Sequence, residues 1–308
     1  DEPAVRGLVA VSQGIHLVLP KRFLPGDSAI MIPKTADGRV LFAVPWHDCV
    51  VVGTTDTPMA GPALEPRALD EEREFVMAHA RRFLTEDPAD EDVLSIYAGL
   101  RPLVRSGEGN NTAALSRDHA IFISPSGLIT ITGGKWTTYR KMAEDVVDHA
   151  ESVAGVEARR GQTENLQIHG WTRQAIGERN LRPYGADAVR ITEVMQAAPE
   201  LQARLHPALP YQRGEVVWQV RHEMARTVED VLARRTRALL LNARASIAAA
   251  PAVARLMAAE LGRDEDWVVR QVAEYTALAR GYVYTDAASR FVASHSEAAA
   301  RATGAQFD

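Results

Sequence analysis

A single cysteine, Cys49, in a chain of 308 residues removes two classes of explanation at once. No intrachain disulfide framework can form, and no cysteine-rich zinc site can be assembled; the lone thiol fits a reducing cytoplasm. Aromatic residues are scarce at 6%, and there is no basic excess. With a formal net charge of −5, the chain lacks the global cationic footprint of a nucleic-acid-binding protein. Long apolar runs are missing too. The longest uncharged stretch, Ala120 to Gly134, is too short and too interrupted by Pro and Gly to span a bilayer. The acidic N-terminus, Asp1-Glu2-Pro3, shows no leader pattern and no initiator Met, so the sequence reads as a segment of a longer protein. What remains is an ordinary globular composition, 46% hydrophobic and 24% charged, long enough for two domains.

Several catalytic motifs are absent as well. There is no Gly-x-Ser-x-Gly nucleophile turn and no calcium loop of the EF-hand type. His222-Glu223-Met224-Ala225-Arg226 lacks the second histidine of a zinc-protease helix, and no metal site is expected.

The pattern changes along the chain. Gly14–Leu19, Ala29–Ile32, Val40–Val44 and Cys49–Gly53 are short apolar runs separated by turn residues, with Asp37-Gly38 as a hairpin signal. Asp70–Phe83 has the acidic start and basic end of a helix. Val93–Tyr97, Ala120–Ile123 and Ile129–Thr132 read as further strands, and Glu151–Asn165 as a linker. Beyond residue 172 the chain is Ala-, Arg- and Glu-rich with helical periodicity: Val216–Leu241 as one long helix or two, then Pro251–Leu261 and Glu265–Arg280. The run Arg234-Arg235-Thr236-Arg237 reads as a solvated or interdomain face.

The most informative stretch is Ile129-Thr130-Ile131-Thr132-Gly133-Gly134-Lys135-Trp136-Thr137-Thr138-Tyr139-Arg140. An alternating β-branched run ends in two glycines, and Trp136, Tyr139, Met142, Ala143, Val146, Val147 and Ala150 then recur at helical spacing. Glycines at such a junction let backbone amides approach a ligand, and a helix start attracts anions. Lys135 adds a full charge. It is not a nucleotide-hydrolase phosphate loop, because Ile129 and Trp136 stand where Gly and Ser or Thr are required. Locally, an anion site and a plain strand-to-helix turn remain equally open.

Other candidates are scattered. Arg101, in Gly99-Leu100-Arg101-Pro102-Leu103, is either a structural ion-pair partner or an anion ligand. His16, within an apolar strand, is either a satisfied core histidine or a base pointed into a cavity. Thr55 and Asp56, in Gly53-Thr54-Thr55-Asp56, cap a strand end or line that cavity, and Arg117-Asp118 precedes another strand.

In order along the chain, Gly14-Ile15-His16, Leu41-Phe42-Ala43-Val44-Pro45-Trp46, Gly53-Thr54-Thr55-Asp56, Gly99-Leu100-Arg101-Pro102-Leu103, Leu115-Ser116-Arg117-Asp118-His119 and the Thr132–Arg140 stretch resemble the FAD-dependent glycerol-3-phosphate dehydrogenases. Arg221–Arg226 and Asp230–Arg237 look like that family's C-terminal domain. The family's Gly-x-Gly-x-x-Gly unit, which holds the FAD diphosphate, is missing. The resemblance therefore implies the C-terminal portion of such an enzyme. Its fold class would be α/β, a substrate-binding sheet (1–92) plus the returning part of a flavin-binding domain (93–155), followed by an all-α domain (166–308).

The resemblance further implies oxidation of sn-glycerol 3-phosphate to dihydroxyacetone phosphate, with electrons passing through FAD to membrane quinone. Gly133, Gly134, Lys135, Trp136, Thr137 and Thr138 would face the cofactor. Arg101, Arg117, Lys135, Thr55 and Asp56 would bind substrate, and His16 and Arg101 would be catalytic. Arg101 titrates above about 12, so His16, with a reference pKa near ~6.5, is the better proton acceptor. The expected setting is cytoplasmic, peripheral to the membrane, and compatible with a homodimer. Without the missing N-terminal part the chain is expected to hold no FAD. Two alternatives stay open: a non-catalytic structural or binding fragment, and a related FAD-dependent amine or amino-acid oxidase.

Overall fold

The computed structural model describes residues 8–35, 38–104 and 118–284. The chain divides into two compact units, 1–14 with 55–66 and 98–171, and 15–54 with 67–97 and 172–308.

In the second unit, the latter part of β1 (Val9–Pro20) pairs antiparallel with β4 (Cys49–Gly53), setting His16 opposite Gly53. Next come β3 (Leu41–Trp46), paired with β4, and β2 (Ile30–Ile32), paired with β3. Ile15, Leu17, Val18 and Leu19 are all fully buried, so this half of β1 is covered on both faces, as a continuous apolar run requires. The β3–β4 hairpin turns through His47 and Asp48, both left-handed, at φ 47° and 62°. That geometry suits the twist of a two-residue hairpin and is usually signalled by Asn-Gly. Of the expected Asp37-Gly38 hairpin, Asp37 lies outside the described residues. Gly38 is left-handed at φ 85°, and its N–H donates to the Thr35 carbonyl at 3.0 Å.

Helix α1 (Asp70–Phe83) has the expected bounds. Glu72 closes its N-terminus by accepting from the Leu69 N–H at 3.0 Å, and Val76, Met77 and Ala80 are buried. β6 (Ser95–Val104) begins in this unit.

The helical part contains α3 (Ala188–Ala197), α4 (Arg213–His222), α5 (Ala238–Leu241), α6 (Ala243–Leu261) and α7 (Glu265–Ala279). Its core gathers Val216, Leu232, Leu239, Val253, Met257 and Tyr275. The helices are tied to the start of β6: Ser95 Oγ donates to the Leu239 carbonyl, and the Ala243 N–H to Leu94, both at 3.0 Å. The expected Val216–Leu241 helix is interrupted twice, at left-handed Met224 (φ 55°) and Arg237 (φ 59°), with a π-helical turn, Asp230–Arg235, between them. The arginine run is not simply solvated. Arg235 donates to the Glu223 and Asp230 carbonyls, and Thr236 is buried.

In the first unit, Val11–Gln13 of β1 pair with β5 (Thr57–Met59), and β7 (His119–Ile123) pairs antiparallel with β8 (Ile129–Gly133). Helix α2 (Tyr139–Ala154) runs into the expected linker and ends at left-handed Gly155, whose N–H donates to the Ser152 carbonyl. None of its side chains is buried. Among the described residues no helix is long and apolar enough to cross a membrane.

Candidate active site

The strand-to-helix turn is built as the sequence suggests, with one refinement. A short 3-10 turn, Trp136–Thr138, intervenes before α2 begins at Tyr139. The Lys135 N–H donates to Thr138 Oγ1 at 3.3 Å, and that hydroxyl donates back to the Lys135 carbonyl at 3.0 Å. Both glycines are required. Gly133 and Gly134 sit at φ 77° and 79°, where L side chains are strained. A Cβ at Gly133 would also lie 2.7 Å from the Asp118 carbonyl oxygen, and one at Gly134 would overlap the Met142 side chain.

Both glycines are therefore closely packed within the protein, and the exposed part of the turn begins at Lys135. Lys135, Thr137 and Thr138 are exposed, and Trp136 is 86% exposed with its ring stacked on Tyr139 at 5.5 Å. The Lys135 and Thr138 N–H groups are taken within the turn, so the amides of Trp136 and Thr137, beside the exposed lysine, are the ones that suit an anionic group.

A second cluster of the same unit is centred on Arg101. Its guanidinium donates to Asp56 Oδ1 at 3.4 Å and to the Thr55 carbonyl at 3.0 Å. Ser12, which no motif marked, donates its hydroxyl to the same Asp56 oxygen. The Arg101 and Asp56 side chains are 25% and 16% exposed, so the pair is held where water still reaches it. The structure therefore brings together Arg101, Thr55 and Asp56. No hydrogen bond or ion pair among the described residues joins Lys135 to them. Arg117 lies outside the described residues. His119 is drawn to α2 instead, its Nε2 standing 3.0 Å from Asp145 Oδ2.

His16 belongs to the other unit, where its ring stacks on Tyr97 at 5.3 Å and 20°. Burial pushes the Tyr97 phenol up to about 12, so it stays protonated beside the imidazole. His16 is half-buried, between the core and cavity readings of the sequence. Tyr97 could have been noticed as the residue leading into Ala98-Gly99-Leu100-Arg101, whereas Ser12 carries no local signal. Among the described residues no group of three or more His, Cys, Asp or Glu side chains is placed to hold a metal ion.

With this geometry in hand, comparison with known proteins is direct. Residues 2–140 match the FAD dependent oxidoreductase family, and residues 128–268 match the C-terminal domain of alpha-glycerophosphate oxidase. The chain is 37% identical over 285 residues to a probable mitochondrial glycerol-3-phosphate dehydrogenase of Caenorhabditis elegans, covering 85% of this chain and 39% of that protein. It is 32% identical over 306 residues to the mitochondrial glycerol-3-phosphate dehydrogenase of Homo sapiens, covering 92% of this chain and 41% of that one. Among solved structures, the glycerol-3-phosphate dehydrogenase from Bacillus halodurans complexed with FAD superimposes with a TM-score of 0.73. It shares 29% identity over 89% of this chain and 57% of its own. The chain thus spans about two fifths of the curated relatives it matches. Its two matched segments, one after the other, thus fall in the FAD dependent oxidoreductase family and in that of the alpha-glycerophosphate oxidase C-terminal domain, and the chain is similar to the corresponding portion of glycerol-3-phosphate dehydrogenases.

Proposed function

We propose that this chain supplies the substrate-recognition residues and the closing turn of the flavin site of a glycerol-3-phosphate dehydrogenase. That enzyme oxidises sn-glycerol 3-phosphate to dihydroxyacetone phosphate and passes electrons to membrane quinone. The observation that supports this most is the Gly133-Gly134-Lys135 turn. Two obligatory left-handed glycines deliver an exposed lysine and a helix start to one spot at the end of β8.

In this reading Lys135, the amides of Trp136 and Thr137 and the Thr138 side chain face the cofactor, the Thr138 N–H being bonded to the Lys135 carbonyl. Bound FAD supplies the hydride acceptor. Lys135, Arg101 and Arg117 neutralise the phosphate dianion and the alkoxide character developing at C2. Asp56 and the Thr55 carbonyl orient Arg101, which stays protonated and cannot be the base. His16 takes the C2 hydroxyl proton as the hydride leaves C2, so two electrons and two hydrogens depart and a ketone remains. The enzyme works peripherally at the membrane that holds its quinone.

On its own the chain retains no FAD and does not turn over. The unburied side chains of α2 favour that reading. The test has two arms. The purified 308-residue chain should be colourless, and a yellow preparation with bound flavin absorbance would show that the site survives alone. In a full-length protein carrying this segment, glycerol 3-phosphate should bleach the flavin. Bleaching by an amine or amino acid instead would replace the proposed substrate.

A further inference from the structure

The second unit contains a cavity of about 370 Å³ that the proposed chemistry does not use. His47, Arg179, Tyr184, Arg204, Glu215 and Arg237 contribute to its wall.

Its backbone is unusual. Among the described residues the left-handed non-glycine positions are His47, Asp48, Met224 and Arg237. Three of them line this cavity, and Met224 directly follows Glu223, which lines it too. At His47 and Asp48 this is the backbone of the β3–β4 hairpin turn, so the strain that points to a ligand site is that of Arg237.

Its charge is unbalanced in one direction. Four arginines face three carboxylates. Asp48 is taken by Arg179 and Glu223 is approached by Arg235 at 4.0 Å. Arg204 reaches only the Pro207 carbonyl, at 3.5 Å, and no carboxylate pairs with Arg237 among the described residues. Two guanidinium groups are therefore unmatched. The resulting field is felt at His47, which burial, then Arg237 and Arg179, holds below its ordinary value and so uncharged at neutral pH.

The inner wall is polar. Glu215, fully buried, accepts from the Gln212 N–H at 2.8 Å, from Asn180 Nδ2 at 3.0 Å and from the Tyr184 hydroxyl at 3.0 Å, and that hydroxyl accepts in turn from Gln219 Nε2 at 2.7 Å, so the network fixes Asn180 and leaves its Oδ1 open. Burial pushes its carboxyl up to about 7.

We propose that this cavity is a small-molecule site for a phosphomonoester bearing a free hydroxyl, with Arg237 and Arg204 on the phosphate and the open Oδ1 of Asn180 in the cavity wall accepting from the hydroxyl. Arginine forks match phosphate oxygens two at a time, which favours this anion over a simple halide. The volume sits at the low end of ligand pockets, roughly 300–1,000 Å³, and excludes a dinucleotide. The site lies wholly within one unit, so its occupancy does not depend on flavin.

The test is calorimetric titration of the 308-residue chain with inorganic phosphate and with glycerol 2-phosphate. Arg237→Asn removes the charge while Asn tolerates the left-handed backbone. One saturable site in the cavity is expected, tighter for glycerol 2-phosphate, weakened about tenfold or more by Arg237→Asn and unchanged by Arg263→Gln, an arginine outside the cavity wall. If circular dichroism shows Arg237→Asn unfolded, Arg204→Gln takes its place with the same expectation. No saturable binding overturns the proposal, as does binding indifferent to both cavity arginines. Loss in Arg101→Gln with retention in the cavity variants also overturns it, since the anion would then sit at the candidate active site. Equal affinity for the two probes overturns the hydroxyl-recognising role of Asn180. None of these outcomes bears on whether a full-length enzyme reduces its flavin, so the two proposals fail separately.

Discussion

Gly53 sits directly across the sheet from His16, and a Cβ on it would overlap the imidazole and come within 2.8 Å of the Ile15 carbonyl oxygen. The ring therefore lies where it does because position 53 has no side chain. Gly53→Ala must displace either the histidine or the backbone of β1. Overpacking of this kind costs about 1–3 kcal/mol, read as a lower urea midpoint. In a full-length enzyme the variant should slow flavin reduction nearly as much as His16→Ala. Normal reduction in both variants would remove His16 from the mechanism.

The two glycines of the Gly133-Gly134 turn should differ in their tolerance of substitution. Both are left-handed, which costs an alanine about 1–2 kcal/mol. At Gly134 the obstacle is the flexible end of Met142, which can swing away. At Gly133 it is Val104 on one side and the Asp118 carbonyl oxygen, 2.7 Å away, on the other. Backbone cannot yield so easily. Urea unfolding should rank Gly133→Ala as clearly more destabilising than Gly134→Ala, and the reverse order would mean that the Met142 contact is the rigid one.

Much of the fold was legible because local signals agreed. β4 is an unbroken apolar run closed by Gly53 and α1 carries its charges at the dipole-favoured ends, so both have the expected bounds. Legibility failed where a non-glycine residue adopts a left-handed backbone. Met224 and Arg237 break the helical run without any Gly or Pro to announce it. Pro251 misled in the opposite sense: it reads as a helix start, yet α6 begins at Ala243 and carries the proline inside, packed by buried Ala249, Ala250 and Ala254. The Arg101–Asp56 pair could not be read either, because the partners are 45 residues apart and each has an exposed alternative. Glu215 was invisible for the same reason, its partners Tyr184 and Asn180 lying 31 and 35 residues upstream.

Glu215 gives the chain a stability that falls as pH rises. Its folded pKa, about 7, lies above the ordinary carboxyl value of 4.5, so the folded state holds the proton more tightly than the unfolded one. The stabilisation is complete below the unfolded value and is lost between about pH 4.5 and 7, amounting to about 3 kcal/mol across that window. Glu215→Gln keeps the acceptor for the Gln212 N–H and removes the titration. The difference in unfolding free energy between wild type and variant, measured from pH 4.5 to 8, should shift in the variant's favour as pH rises. A difference that stays flat would place the carboxyl's folded pKa near its ordinary value.

Arg101 can be tested through its partner. If the guanidinium exists only to pair with Asp56, then Asp56→Asn and Arg101→Gln should be equivalent. If its task is to hold a phosphate, they should part company. The pair is partly exposed, so losing the carboxylate charge is worth about 1 kcal/mol or less, and the Thr55 carbonyl still holds the guanidinium at 3.0 Å. Asp56→Asn is thus expected to change KM for glycerol 3-phosphate by less than about fivefold. Arg101→Gln removes a charge-assisted contact to the dianion, worth about 1.5–3 kcal/mol, and should lower kcat/KM by roughly 10- to 150-fold. Steady-state kinetics on the two variants of a full-length enzyme decide the matter. Equal losses would make Arg101 structural, and unequal ones in this order would make it a substrate ligand that Asp56 merely steadies.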